Sequence, residues 1–371
     1  MTDRQHELLS LFLKLAPIEG TSLAERAIAD AVMRRLHSSG VRVVEDGSAA
    51  LLKGTTGNLL CFPPDFDEHT PALMLTAHLD TVHSTASLRP IVHPDRVTSD
   101  GTTILGADDR LGLSVLVDLL IDVARSRTRH RNFFVVFTVG EEEGLYGAST
   151  LNVAQRPLKG AYVFDSSKRP GIYIRECVGL HVFKVHFIGK SAHSGVAPEE
   201  GINAIAMASK AVACLDLGRL DADTTANVGK IHGGEAVNAV PEHVFIEGEV
   251  RSFHPDRIRR ELGRIERTIR GAVDGIGKVE FESAVDFEPY VLAPDAPVVL
   301  EVERALRKVG LTPQGIRYTG GSDANKYNAK GIPAVNIGTG AQKPHSHEEF
   351  FLLEDLFKTS ELAHALICPI D

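Results

Sequence analysis

Apolar residues fall along this chain in two alternating rhythms. Short runs with almost nothing polar in them, ALMLTAHLD at 72–80, NFFVVFTV at 132–139 and GAYVFD at 160–165, are too short for typical helices and predict buried strands. Around them, apolar residues recur every three to four positions. The opening MTDRQHELLSLFLKLAP repeats its leucines at helical spacing, and TSLAERAIADAVMRRLHSSG, with a Thr/Ser start and a closing Gly40, predicts an amphipathic helix with both ends marked. DRLGLSVLVDLLIDVAR at 109–125 is apolar on more than one face and predicts a well-buried helix, while STLNVAQRP is a weaker helical stretch. Strand–helix alternation of this kind points to an α/β sheet with helices on both faces.

Near Cys177 the rhythm changes. GLHVFKVHFIGK at 179–190 alternates as a half-exposed strand does, and is followed by the helix EGINAIAMASKAVACLDL, the strands TANVGKIHGG and HVFIEGEVRSF, the helix DRIRRELGRIERTIRGAV and the strand KVEFES. That order, β-α-β-β-α-β, is the ferredoxin-like pattern. After residue 290 the α/β character resumes with the helix PVVLEVERALRKVG, the strand IPAVNIGTG at 332–340 and the helix LLEDLFKTSELAHALI. The pattern predicts one α/β domain, residues 1–177 and 290–371, interrupted by an inserted α+β domain at 178–289.

Composition narrows the class without naming a function. At 371 residues the chain exceeds the roughly 250–300 that one core usually serves, in keeping with two domains. A net charge of −9 and no basic stripe argue against nucleic acid or an anionic membrane as partner. Cys61, Cys177, Cys214 and Cys368 are scattered without CxxC or Cys/His pairing, as free thiols in a reducing compartment are. No run approaches the ~18–20 apolar residues that span a bilayer, and the acidic start lacks signal-peptide features. A cytoplasmic protein is the expectation.

The chemistry gathers where strands end, which is where open α/β sheets bind ligands. His78 and Asp80 follow the first buried run; Asp108 and Asp109 precede the long helix; Glu141, Glu142 and Glu143 follow NFFVVFTV. Asp165 ends GAYVFD, and His345 and His347 stand in the loop after IPAVNIGTG. Each alone has an ordinary reading: Asp-Asp caps helices, and a lone histidine after a strand is commonly a structural one. Together they would fill one pocket with mutually repelling, partly desolvated anions, for which cations are the natural remedy. The donor set is the one that binds zinc-like ions.

The segments LTAHLDTV, GADDRLG, GEEEGLYGAS, YVFDSS and PHSHEEF, in this order around an inserted domain, resemble the dinuclear zinc peptidases typified by peptidase T, a superfamily that also holds aminoacylases and carboxypeptidases. GKSAHSGVAPEEGINAI and GEVRSFHPD resemble its inserted lid domain, so the resemblance spans essentially the whole chain. It implies a zinc-peptidase-type mixed sheet flanked by helices with a ferredoxin-like lid and dimerisation domain, and two divalent ions, zinc foremost, with cobalt or manganese also fitting. His78 is then a ligand of one ion and Glu142 of the other, Asp108 bridges them, and Asp165 and His345 complete the two sets. The family's His-x-x-x-Glu spacing selects His345, with Glu349, over His347. Asp80 is expected to hold the His78 ring by its other nitrogen, and Glu141 to be the general base. Glu143 is left to solvent, Asp109 to structure, with the Asp108–Asp109 link often cis in the family.

At position 110 relatives usually carry lysine where this chain has arginine. In the lid, the resemblance implies that His193 reaches a neighbouring subunit's active site to stabilise the oxyanion, and that Arg251, with Asn238, grips the terminal carboxylate of a short peptide. Aspartate at 165 leans toward aminopeptidases and tripeptidases. A carboxypeptidase or an N-acyl amino acid amidohydrolase would use the same metal set, and a silent metal- or peptide-binding protein is the alternative of another class.

Overall fold

The computed structural model describes residues 1–127, 129–153 and 156–369. They divide into two compact units, one of Met1–Arg175, Val291–Arg317 and Ser322–Asp371, the other of Glu176–Tyr290 with Tyr318–Gly321. Up to residue 177 the chain forms strands β1 (Arg42–Glu45), β2 (Leu59–Phe62), β3 (Ala72–His78), β4 (Phe133–Thr138), β5 (Leu158–Ser166) and β6 (Ile172–Cys177). Helices α1 (Asp3–Leu15), α2 (Arg26–His37) and α3 (Ala107–Ser126) accompany them. The second unit holds β7 (Gly179–Ile188), α4 (Ala204–Ala213), β8 (Thr224–Gly233), β9 (His243–Ser252), α5 (Pro255–Ala272) and β10 (Lys278–Phe287). The first unit then resumes with α6 (Pro297–Lys308), α7 (Asp323–Ala329), β11 (Ala334–Gly338) and α8 (Leu353–Ile367).

The large sheet runs β1-β2-β4-β3-β5-β11-β6. Its centre is parallel: β4, β5 and β11 all follow the direction of β3, directly or through a neighbour. Those strands are buried along their whole length apart from the first residues of β5, which is why they read as continuous apolar runs rather than as alternation. Parallel pairing in near-level register brings the carboxyl ends together: His78 pairs with Thr138, Thr76 with Val163, and Gly338 with Ser166. Everything that follows those four strands therefore emerges at one edge of the sheet.

Helix α3 packs on β3 and β5, with α1, α2 and α8 against it, and α7 packs on β5 and β11. The approach of α3 to β5 needs glycine at 112, where a Cβ would sit 2.0 Å from the Phe164 carbonyl oxygen. Gly112→Ala is accordingly expected to push helix from strand beside Asp165, and to lower the melting temperature by several degrees in a thermal scan, as overpacking by ~1–3 kcal/mol does.

Two predicted helices are placed differently. α2 begins at Arg26 rather than at Thr21, because Thr21 forms a bridge with Thr81 and the Ser22 hydroxyl donates to Asp80 instead of capping a helix. The stretch STLNVAQRP is not a helix of its own: a five-residue helix, Tyr146–Thr150, ends as it starts, and Ala154 and Gln155 lie outside the described residues.

In the second unit the sheet runs β8-β9-β7-β10, all antiparallel, the ferredoxin-like arrangement. Phe183, Val185 and Phe187 point inward from alternate positions of β7, and α5 meets them with Ile258, Leu262, Ile265 and Ile269, one stripe at helical spacing.

Candidate metal centre

Each element of the site is held in place by its neighbours' backbone. His78 is the last residue of β3 and only 2 % exposed. Its Nδ1 lies 3.0 Å from the Asp80 carbonyl oxygen, and since a carbonyl only accepts, Nδ1 carries the proton there. The lone pair on Nε2 is then left facing Asp108 Oδ1 at 3.3 Å and Asp165 Oδ1 at 3.9 Å. A nitrogen lone pair aimed at two carboxylates is repulsive unless a proton or a metal ion stands between them. His345 repeats the arrangement from the other side, with Nε2 3.5 Å from Asp108 Oδ2 and 3.0 Å from Glu142 Oε1. Asp108 thus turns one oxygen to each histidine. Two donor groups share it, His78 with Asp165 and His345 with Glu142.

Asp80 does more than orient an imidazole. Its carboxylate is 3.4 Å from His78 Nδ1, farther than the carbonyl of the same residue. Its two oxygens instead accept the backbone N–H of Glu141 at 3.0 Å and of Glu142 at 3.1 Å, with Ser22 donating a third bond at 2.6 Å. The Asp80 carbonyl is thus the nearer partner of the ring, while its side chain holds the glutamate loop. Asp109, joined to Asp108 by a cis peptide, accepts from Gly112 N at 3.0 Å and from His78 N at 3.2 Å, tying the start of α3 to the end of β3. Glu143 is exposed, and so is His347, whose carbonyl accepts from Ser99. Arg110 is wholly buried and donates to the carbonyls of Leu79 and Ile18.

Burial and like charge shift these donors from their ordinary pKa values. Burial, and then Asp165, hold the Glu141 carboxyl well above its usual range. Burial followed by Asp108 does the same to Asp165, and burial also raises Glu142. Burial works against charge on His78, but hydrogen bonds to Asp108 and Asp80 outweigh it and lift its pKa well above the ordinary value. Asp108 and Glu142 raise His345 to about 10. Divalent cations would relieve this crowding in a set of imidazole and carboxylate donors, and ligand atoms of His78, Asp108 and Glu142 lie within 4.8 Å of one another. The residues fit divalent cations.

Two carboxylates to which the sequence assigns no role also belong here. Glu349 is 1 % exposed and accepts from Gly106 N at 2.7 Å and Asp108 N at 3.0 Å, so it ties the His345 loop to the Asp108 loop; burial raises it to about 7. The signal in the sequence is the His-x-x-x-Glu spacing itself, whose glutamate is this residue. Asp323, at the start of α7, receives a 2.6 Å bond from Thr138 at the end of β4, and burial raises it to about 6.

The three lid candidates lie in the second unit, two of them together. His193 forms a bridge with Ala239 while Ser194 N donates to the Asn238 carbonyl at 3.0 Å, so the His193 and Asn238 loops are laced backbone to backbone. Arg251 is engaged elsewhere: Nε and Nη2 grip Glu249 at 2.8 and 3.1 Å, and Nη1 donates to the Thr319 carbonyl.

The sequence profile of peptidase family M20/M25/M40 matches residues 74–368, which includes all seven residues from His78 to His345 named for the centre. The chain belongs to this family. As a member it is a metal-dependent peptidase of the dinuclear kind. It is 34 % identical over 98 % of both chains to the uncharacterized protein YqjE of Bacillus subtilis. Among solved structures, the aminopeptidase PepT of Bacillus cereus superposes with a TM-score of 0.86 at 33 % identity, over 98 % of each chain. A tripeptidase of Staphylococcus aureus gives 0.90 at 33 % identity, over 98 % of this chain and 97 % of its own. Family membership accounts for the mixed sheet flanked by helices and for the inserted second unit. Among the described residues no helix is long and apolar enough to cross a membrane.

Proposed function

We propose that this peptidase removes the amino-terminal residue of short peptides, tripeptides foremost, with two zinc ions and Glu141 as general base. The observation that carries the reading is Asp108, whose two oxygens face two histidines in separate donor groups. His78 and Asp165 would hold one ion, Glu142 and His345 the other, with Asp108 common to both. When bound, such ions supply Lewis acidity and lower the pKa of water enough to make it a nucleophile at neutral pH. Glu141 takes the proton of the attacking water on its carboxylate and delivers it to the departing amine. Asp80 fixes Glu141 and Glu142 relative to each other through their N–H groups, and so keeps base and ligand in register. Arg251 and Asn238 take the carboxyl end of the peptide; on the guanidinium, binding exchanges the carboxylate of Glu249 for that of the substrate. His193 assists at the oxyanion, from the partner in a homodimer formed through the second unit. The relatives named PepT and tripeptidase support the amino-terminal, three-residue preference.

The deciding assay sets a free-amine tripeptide beside its N-acetylated form, with zinc, cobalt or manganese added. Turnover of the free form alone is the expected result. Turnover of the blocked form alone refutes the aminopeptidase reading and makes the protein an amidohydrolase or carboxypeptidase. The ligand choice is tested separately. His345→Ala is expected to lose one ion per chain and at least ~10²-fold in activity, whereas His347→Ala keeps both ions and stays within about threefold, by metal analysis and initial rates.

A further inference from the structure

The segment Gly140–Glu142 carries both the base and a ligand, and three consecutive backbone N–H groups fix it. Asp80 takes the second and third. The first, Gly140 N–H, donates to Glu25 Oε1 at 2.8 Å, and the same oxygen accepts from Leu23 N at 2.8 Å. Glu25 stands just before α2, is 0 % exposed, and its other oxygen, Oε2, has no hydrogen-bond partner among the described residues. Burial, with Asp80 adding to it, lifts its carboxyl to about 7, so the place disfavours an anion even with the buried Arg110 guanidinium near by. Only the acceptor atom at Oε1 has work to do. Gly140 itself is left-handed, at φ +59°, so the chain turns sharply there and the direction of that N–H sets the direction in which Glu141 leaves the turn.

We propose that Glu25 is a positioning residue for the reaction, acting through Gly140 to place Glu141 and Glu142, and that it does so as a hydrogen-bond acceptor at a fixed reach rather than as an anion. The inference rests on the roles given to Glu141 and Glu142 above. Glu25→Gln keeps both the reach and an acceptor oxygen while removing the charge. Glu25→Asp keeps the charge and shortens the reach by one carbon–carbon bond, ~1.5 Å. An anion-dependent role and an acceptor-dependent role therefore predict opposite rankings of the two variants.

The test measures kcat and KM on the tripeptide, and the visible absorption of the cobalt-loaded protein, which reports ligand geometry without turnover. Glu25→Gln is expected within about threefold of wild type in kcat, with an unchanged cobalt spectrum. Glu25→Asp is expected to lose ~10²-fold in kcat, the scale of an ångström's misplacement, with KM within about threefold and an altered cobalt spectrum. If the aspartate variant does not fold, Glu25→Met, of similar volume but with no oxygen acceptor, takes its place with the same expectation. The proposal is overturned if the shortened variant matches wild type, if the glutamine variant is damaged as badly, or if the loss falls in KM alone. Failure of the functional reading looks different: wild type itself would then turn over no peptide, while the cobalt spectra would still rank the variants.

Discussion

Glu141→Gln is expected to lower kcat on a tripeptide by ~10²–10⁴-fold, the contribution usual for a positioned general base, while both ions stay bound and KM moves little. The amide keeps the shape of the side chain and can still touch a water, but it cannot accept the proton that attack releases. The environment of Glu141 gives the substitution its selectivity. Its carboxyl is raised by burial and then by Asp165, which makes it a better proton acceptor than an ordinary carboxylate once nearby cations favour its ionised form. That is the behaviour needed to take a proton from water and pass it to an amine. The neighbouring Glu142→Gln should behave otherwise. It removes an anion facing His345 at 3.0 Å, so metal content falls together with activity. Metal analysis beside kcat separates the two glutamates, and an active Glu141→Gln enzyme would mean that another group moves the proton.

The sequence carried the site to the extent that it carried the sheet. β3, β4 and β5 are buried almost throughout, so their apolar runs were plain, and parallel pairing then decided that His78, Glu141, Glu142 and Asp165 share an edge. The second unit was legible for the opposite reason: β7 and β9 alternate, and α5 shows one apolar stripe. Choosing His345 over His347 took a family spacing, because both stand in the same loop and local chemistry does not tell them apart. What stayed hidden were carboxylates whose partners are backbone N–H groups. Glu25 meets Gly140 across 115 positions and Glu349 meets Gly106 across 243. A backbone N–H looks the same at every residue, so no side chain at the far end announces the pairing. The late start of α2 has the same origin: Ser22 spends its hydroxyl on Asp80, a tertiary use that capping rules do not foresee.

Removing the metal ions with a chelator is expected to lower the melting temperature on the order of 5 °C at pH 7.5, and the gap between loaded and stripped protein should narrow toward pH 5. In the stripped protein burial raises Glu349 from 4.5 to about 7 and Asp323 from 3.8 to about 6, and raises Glu141 and Asp165 well above their usual values. A carboxyl whose folded pKa is raised favours the fold fully below its unfolded pKa and loses that contribution as pH climbs through the folded one. The raised histidines act in the same sense, since His345 contributes below 6.5 and loses its contribution toward about 10. Asp108, lowered by His345 and His78 against the effect of burial, opposes them only below its unfolded value of 3.8. Between pH 5 and 8 the stripped protein therefore weakens as pH rises. The loaded protein gains over the same range, because its ligands bind only when deprotonated. Calorimetric scans at unit pH intervals, with and without chelator, measure the difference directly. A gap that stays constant or shrinks with rising pH would mean that these carboxylates and imidazoles are not where the ions bind.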